Sequence, residues 1–137
     1  MMFKKNYYLL NQIKLMQSEI IDNIDNLNSG GCIHFAYYCS KRLTQLKIKH
    51  KVLFASFNSK IKYTYDDFES VSHVMVYIPR VGYFDGYKFE KDVKSNYKYL
   101  KFLDLNLNIL RNEYPWNDFY NTKQNRKLET IINNYIK

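Results

Sequence analysis

Between residues 9 and 27 apolar side chains return at helical spacing: Leu9, Ile13, Leu15, Met16, Ile20, Ile24 and Leu27. That period predicts an amphipathic helix over 9–27. Asn28-Ser29-Gly30-Gly31 ends it and starts the next segment. Residues 31–46 read as a second helix, with Phe35, Ala36, Cys39, Leu43 and Leu46 turned inward.

The pattern then changes. KVLFASF (51–57) is a short apolar run of strand formers, and KYTYDDF (62–68) fits neither period. VSHVMVYI (71–78) is β-branched and aromatic and stops at Pro79, which predicts a strand. Pro79-Arg80-Val81-Gly82 is a turn into YFDGYKF (83–89), a second strand, and YKYLKFLDLN (97–106) offers another. Helical spacing returns over 117–136, where Phe119, Leu128, Ile131, Ile132 and Tyr135 share a face behind Pro115-Trp116-Asn117. Grouped strands between helices predict the α+β class. At 137 residues, without repeats or a linker, the expectation is one domain over 1–137.

Composition changes this picture little. The chain is 46% hydrophobic and 18% aromatic, which excludes a disordered polymer. No run reaches the ~18–20 apolar residues of a membrane span, and the N-terminal stretch lacks a signal-peptide core. A cytoplasmic protein is expected, of cellular or viral and phage origin. The net charge of +8 suits an acidic partner such as nucleic acid, although spread lysines are more often a solubilising device. The densest basic run is KRLTQLKIKHK, 41–51.

The two cysteines, Cys32 and Cys39, are seven residues apart. On one helix that is about 10.5 Å, beyond the ~7 Å reach of a disulfide. A reducing compartment follows. Cys32, His34 and Cys39 are too few and wrongly spaced for a structural zinc site. A phosphate loop, His-Glu-x-x-His and Gly-x-Ser-x-Gly are all missing. Neither metal nor cofactor is expected.

Cys32 carries the chemistry. With Ser29 or Asn28 as cap, it falls in the first helical turn, where unpaired N–H groups favour a thiolate. Gly30 and Gly31 clear side chains from beside the sulfur, so a carbonyl substrate can approach. A thiolate nucleophile needs a proton-transfer partner. His34 lies about 200° round the helix from Cys32. His50 sits among lysines and reads as solvated. His73, amid apolar neighbours on its strand, is either a core histidine or the base. Asp85, in YFDGY, lies between aromatics and Gly86. If Tyr77 pairs with Tyr83, then Met75 faces Asp85 and His73 becomes its diagonal neighbour. Taken singly, each has a bland reading: a buried helical cysteine is usually a small hydrophobe, and an Asp beside Gly usually belongs to a turn. All four glycines, 30, 31, 82 and 86, flank one of the two segments that carry Cys32 and Asp85, which favours the triad.

Glycine-glycine-cysteine opening a helix, then His-Val-Met-Val on a strand, then Tyr-Phe-Asp-Gly on the next, resembles the papain-like and transglutaminase-like thiol enzymes. The order Cys, His, Asp is theirs, and the separations of 41 and 12 residues look like their smallest members. The likeness covers roughly residues 26–90. It implies helices with the nucleophile at a helix N-terminus packed on a small antiparallel sheet, followed by a C-terminal helix. It also implies Cys32 as nucleophile, His73 as base and Asp85 orienting the imidazole. Papain-like enzymes place a Gln before the cysteine to line the oxyanion hole; here Asn26 and Asn28 stand in that neighbourhood. The residues that follow papain's cysteine are absent, and the chain is shorter than the related arylamine acetyltransferases. Trp116, the single tryptophan, reads first as a core anchor for the last helix and second as a wall of the substrate cleft, beside Gly30 and Gly31.

Three functions follow as expectations. One is a cysteine hydrolase cleaving a peptide, isopeptide or other amide bond of a protein or peptide substrate through an acyl-thioester. A second is acyl transfer or cross-linking at the same site. A third is a non-enzymatic basic binding or structural protein, such as a viral component, whose Tyr and Lys side chains stack on and neutralise single-stranded nucleic acid.

Overall fold

The computed structural model describes residues 4–24, 32–56, 73–91, 99–103 and 122–137. Among them are three helices, α1 (Lys4–Asn23), α2 (Cys32–Gln45) and α3 (Thr122–Tyr135). Five strands accompany them: β1 (Lys51–Ser56), β2 (His73–Ile78), β3 (Gly82–Phe84), β4 (Phe89–Glu90) and β5 (Tyr99–Leu103). The strands form one antiparallel sheet in the order β4-β3-β2-β1-β5. The class is α+β. No helix among the described residues is long and apolar enough to cross a membrane.

Period-two alternation splits the sheet into two faces. Val52, Val74, Val76, Ile78 and Phe84 join the helices in the main core. Leu53, Met75, Tyr77 and Tyr83 cluster on the other face, where the two tyrosine rings stack with centroids 4.6 Å apart. From the helices come Ile13, Met16 and Ile20 of α1, Phe35, Ala36, Cys39 and Leu43 of α2, and Leu128 and Ile132 of α3, each fully buried. Full burial of one such side chain contributes roughly 1.5–3 kcal/mol, so this seam is what holds α2 against the sheet.

Several boundaries differ from expectation. Helix α1 begins at Lys4, five residues before its apolar stripe, because Asn6 is buried in its first turns and extends the inward face. Leu15, expected inward, is 54% exposed, since it lies more than about 90° round the helix from the row that Ile13, Met16 and Ile20 present to the core. Residues 62–68, Phe119 and the expected helix start at 117 lie outside the described residues. The largest correction is at 83–89. It is not one strand but a hairpin, β3 and β4, because Asp85 turns the chain. Tyr87 therefore leaves the Tyr83 face and packs against the helix-side core.

Two turns at the other end of the sheet are built on unusual backbone. Helix α2 closes in a Schellman motif: Lys47 N–H donates to the Thr44 carbonyl (3.1 Å) and Ile48 N–H to the Leu43 carbonyl (2.9 Å). Lys47 takes the left-handed position, φ 57°. In the β2–β3 turn Val81 N–H donates to the Ile78 carbonyl (3.0 Å). Pro79 precedes Arg80, whose φ is 67°, the arrangement of a type II turn. Glycine is the usual occupant of both positions, and a side chain there costs about 1–2 kcal/mol. Gly82 follows at φ 143°, where an added Cβ would meet Phe89 Cζ at 2.7 Å.

Candidate active site

The chain direction brings the three expected residues to one end of the molecule. The start of α1 and the residues after α2 meet at the β2–β3 turn, so α2 begins at the opposite end, with Ile24 of α1. Cys32 is the first residue of α2. His73 is the first residue of β2, pairing with Ala55 of β1. Asp85 follows the last residue of β3.

A ring contact ties two of them together. Phe35, one turn into α2 from Cys32, meets Phe84, the neighbour of Asp85, edge to face, with centroids 6.1 Å apart and planes at 77°. Both rings are fully buried. The first turn of α2 is thereby fixed against the end of β3.

Asp85 is 3% exposed. Its Oδ1 accepts the N–H groups of Tyr87 (2.6 Å) and Lys88 (2.7 Å), and its own N–H donates to the Lys88 carbonyl (3.0 Å). The carboxylate thus shapes an Asx turn, the ordinary duty of an Asp beside Gly. Two contacts anchor the turn on α1. Gln17 Nε2 donates to the Asp85 carbonyl (2.9 Å), and the Tyr87 hydroxyl donates to the Ile24 carbonyl (2.9 Å). Gln17 is 5% exposed and was not anticipated; its one sequence signal is a polar residue lying on the apolar row of a helix.

The expected register holds. Tyr77 pairs with Tyr83 and Val76 with Phe84. Continued by one step it sets Met75 opposite Asp85, but β3 ends at Phe84 and the turn carries Asp85 to the α1 side. Alternation gives position 73 the parity of Met75 and Tyr77, the face away from α2. The side chains of Cys32 and His73 lie outside the described residues, as do Asn26, Asn28, Gly30, Gly31 and Trp116.

The other polar groups of α2 have structural work. His50 is not simply solvated: its Nε2 lies 2.7 Å from Ser40 Oγ and its Nδ1 2.8 Å from the Ile48 carbonyl. A carbonyl only accepts, so Nδ1 carries hydrogen and the ring clips the α2–β1 connection to α2. Ser40 is 5% exposed, closed to any substrate. His34 is 2% exposed. Burial pushes the Cys39 thiol far above its ordinary value, which leaves it protonated and inert. No group of three or more His, Cys, Asp and Glu among the described residues is placed to hold a metal ion. No family model, curated protein or solved structure matches this chain.

Proposed function

We propose that the chain is a cysteine-dependent hydrolase of amide or related acyl bonds, with the active thiol at the start of α2 in a papain-like or transglutaminase-like arrangement. The observation that carries the reading is the Phe35–Phe84 contact, which holds the helix end bearing Cys32 beside the turn bearing Asp85. The N-terminal position of Cys32 favours its thiolate through the unpaired N–H groups and the helix dipole.

In this reading the Cys32 sulfur attacks the substrate carbonyl carbon and the carbonyl π pair moves to oxygen. Collapse breaks the bond to the leaving amine, which takes a proton from the His73 imidazolium, and an acyl-thioester remains. Water then attacks, giving its proton to His73, and the C–S bond breaks to release acid and thiolate. Asp85 is in this reading a positioning residue: Oδ1 holds the turn, and Oδ2 is the atom left to accept from an imidazole brought to it. The reading requires the His73 ring to come over the end of β2 towards α2, against the parity of the strand that follows it.

Acylation by p-nitrophenyl acetate, quenched in acid and read by mass spectrometry, tests the proposal. The wild type is expected to carry one acetyl group on Cys32 and to turn over, while Cys32→Ala keeps its circular dichroism and loses both. Equal p-nitrophenol release by the two proteins would remove the proposal. Added glycine ethyl ester separates acyl transfer from hydrolysis by the product formed.

A further inference from the structure

At the opposite end of α2, roughly 20 Å from Cys32 by helix rise, a cavity of about 570 Å³ opens between α1, the α2–β1 connection and the β2–β3 turn. Its size falls within the ~300–1,000 Å³ of small-molecule sites. Lys5, Lys47, Lys49, Arg80 and Lys137 line it, and none of the described residues that line it is Asp or Glu. The cations arrive from four separate stretches of chain, so their convergence is a product of the fold. Like charges gathered in one space repel one another, and an anion relieves that repulsion.

Two further observations point to a ligand. Lys47 and Arg80 are the two non-glycine residues at positive φ among the described residues, and both line this cavity. Glycine would suit each position better, so the fold bears backbone strain at the two places where a cation is delivered to the same space. Strain of this kind concentrates at ligand clamps. In addition Asn6, nine-tenths buried, lines the cavity. Its amide is a donor placed among cations. One wall is apolar, formed by Leu9, Ile48 and Pro79, with Tyr8 at its side.

We propose that this cavity binds a multiply phosphorylated small molecule of nucleotide size. The cations and the Asn6 amide take the phosphates, and the apolar wall with Tyr8 takes the organic part. The site is separate from Cys32 and stands whether or not the thiol is catalytic.

Isothermal titration with metal-free ATP, with inorganic triphosphate and with a twelve-residue oligothymidylate tests it, at low salt. ATP and triphosphate are each expected to bind at one site. Lys47→Gly/Arg80→Gly should weaken both at least tenfold while the thermal midpoint stays level or rises, because glycine relaxes both turns. Lys49→Gln, on ordinary backbone, should weaken them as well. Lys123→Gln/Lys127→Gln on α3 removes the same charge elsewhere and should change affinity less than threefold. The proposal is overturned by absence of saturable binding of both small molecules, by equal losses in the α3 control, or by binding of the oligonucleotide alone, which would make the surface a strand-binding one.

Discussion

Phe35 and Phe84 meet edge to face with ring centroids 6.1 Å apart, and each ring is one step of local structure from a residue of the proposed site. Phe35 lies three residues after Cys32; Phe84 lies one before Asp85. The contact converts core packing into site geometry. Phe84→Leu keeps an apolar side chain but gives up the ring contact, worth about 0.5–1.5 kcal/mol beyond area. Urea unfolding should show a total loss of roughly 1–2.5 kcal/mol with an unchanged slope. Acylation of Cys32 should slow more than stability alone explains, since the variant remains folded. An unaltered acylation rate would separate the packing from the site.

Gln17 fixes the same turn from the other side. Its Nε2 donates to the Asp85 carbonyl in a buried setting. Gln17→Met fills similar volume and removes the donor, leaving the carbonyl without that partner at about 1–3 kcal/mol. Gln17→Glu should be worse, because a carboxylate then faces a carbonyl oxygen. Denaturant midpoints of the two variants check the order; Glu equal to or better than Met would contradict this role.

Cys39 gives the pH dependence a sign. Burial raises its thiol above the ordinary value of 9.0. Above that pH the unfolded chain loses the proton and the fold keeps it, so the neutral thiol's contribution is complete below pH 9 and drains away as pH rises. Relative to Cys39→Ala, the wild type should lose about 1.4 kcal/mol of stability per pH unit above 9. Other groups titrate equally in both proteins and cancel in the difference. A difference that stays constant from pH 8 to 10.5 would place Cys39 in contact with solvent.

Much of the fold was written in the periodicity. The rows Ile13, Met16, Ile20 and Phe35, Cys39, Leu43 are buried as their spacing requires, and the Tyr77–Tyr83 register followed from the turn between them. The hairpin at 83–89 was hidden because its residues read as aromatic strand formers, while Asp85 acts through a local bond to its own backbone. Local side-chain bonding competes with a sheet ladder and leaves no periodic trace. The basic cavity was equally illegible. Lys5, Lys47 and Arg80 are far apart in the chain, and only tertiary packing brings them together.

The most direct measurement is the rate of iodoacetamide alkylation at Cys32 from pH 5 to 10, in the native wild type and in His73→Ala. An activated thiolate reacts at its plateau rate by neutral pH, with an apparent pKa below ~7.5, and loss of its imidazole partner moves the profile towards the ~8.5 of a free cysteine. That displacement is expected, with Cys39 unlabelled throughout. Superimposable profiles for the two proteins, both those of an ordinary thiol, would contradict it.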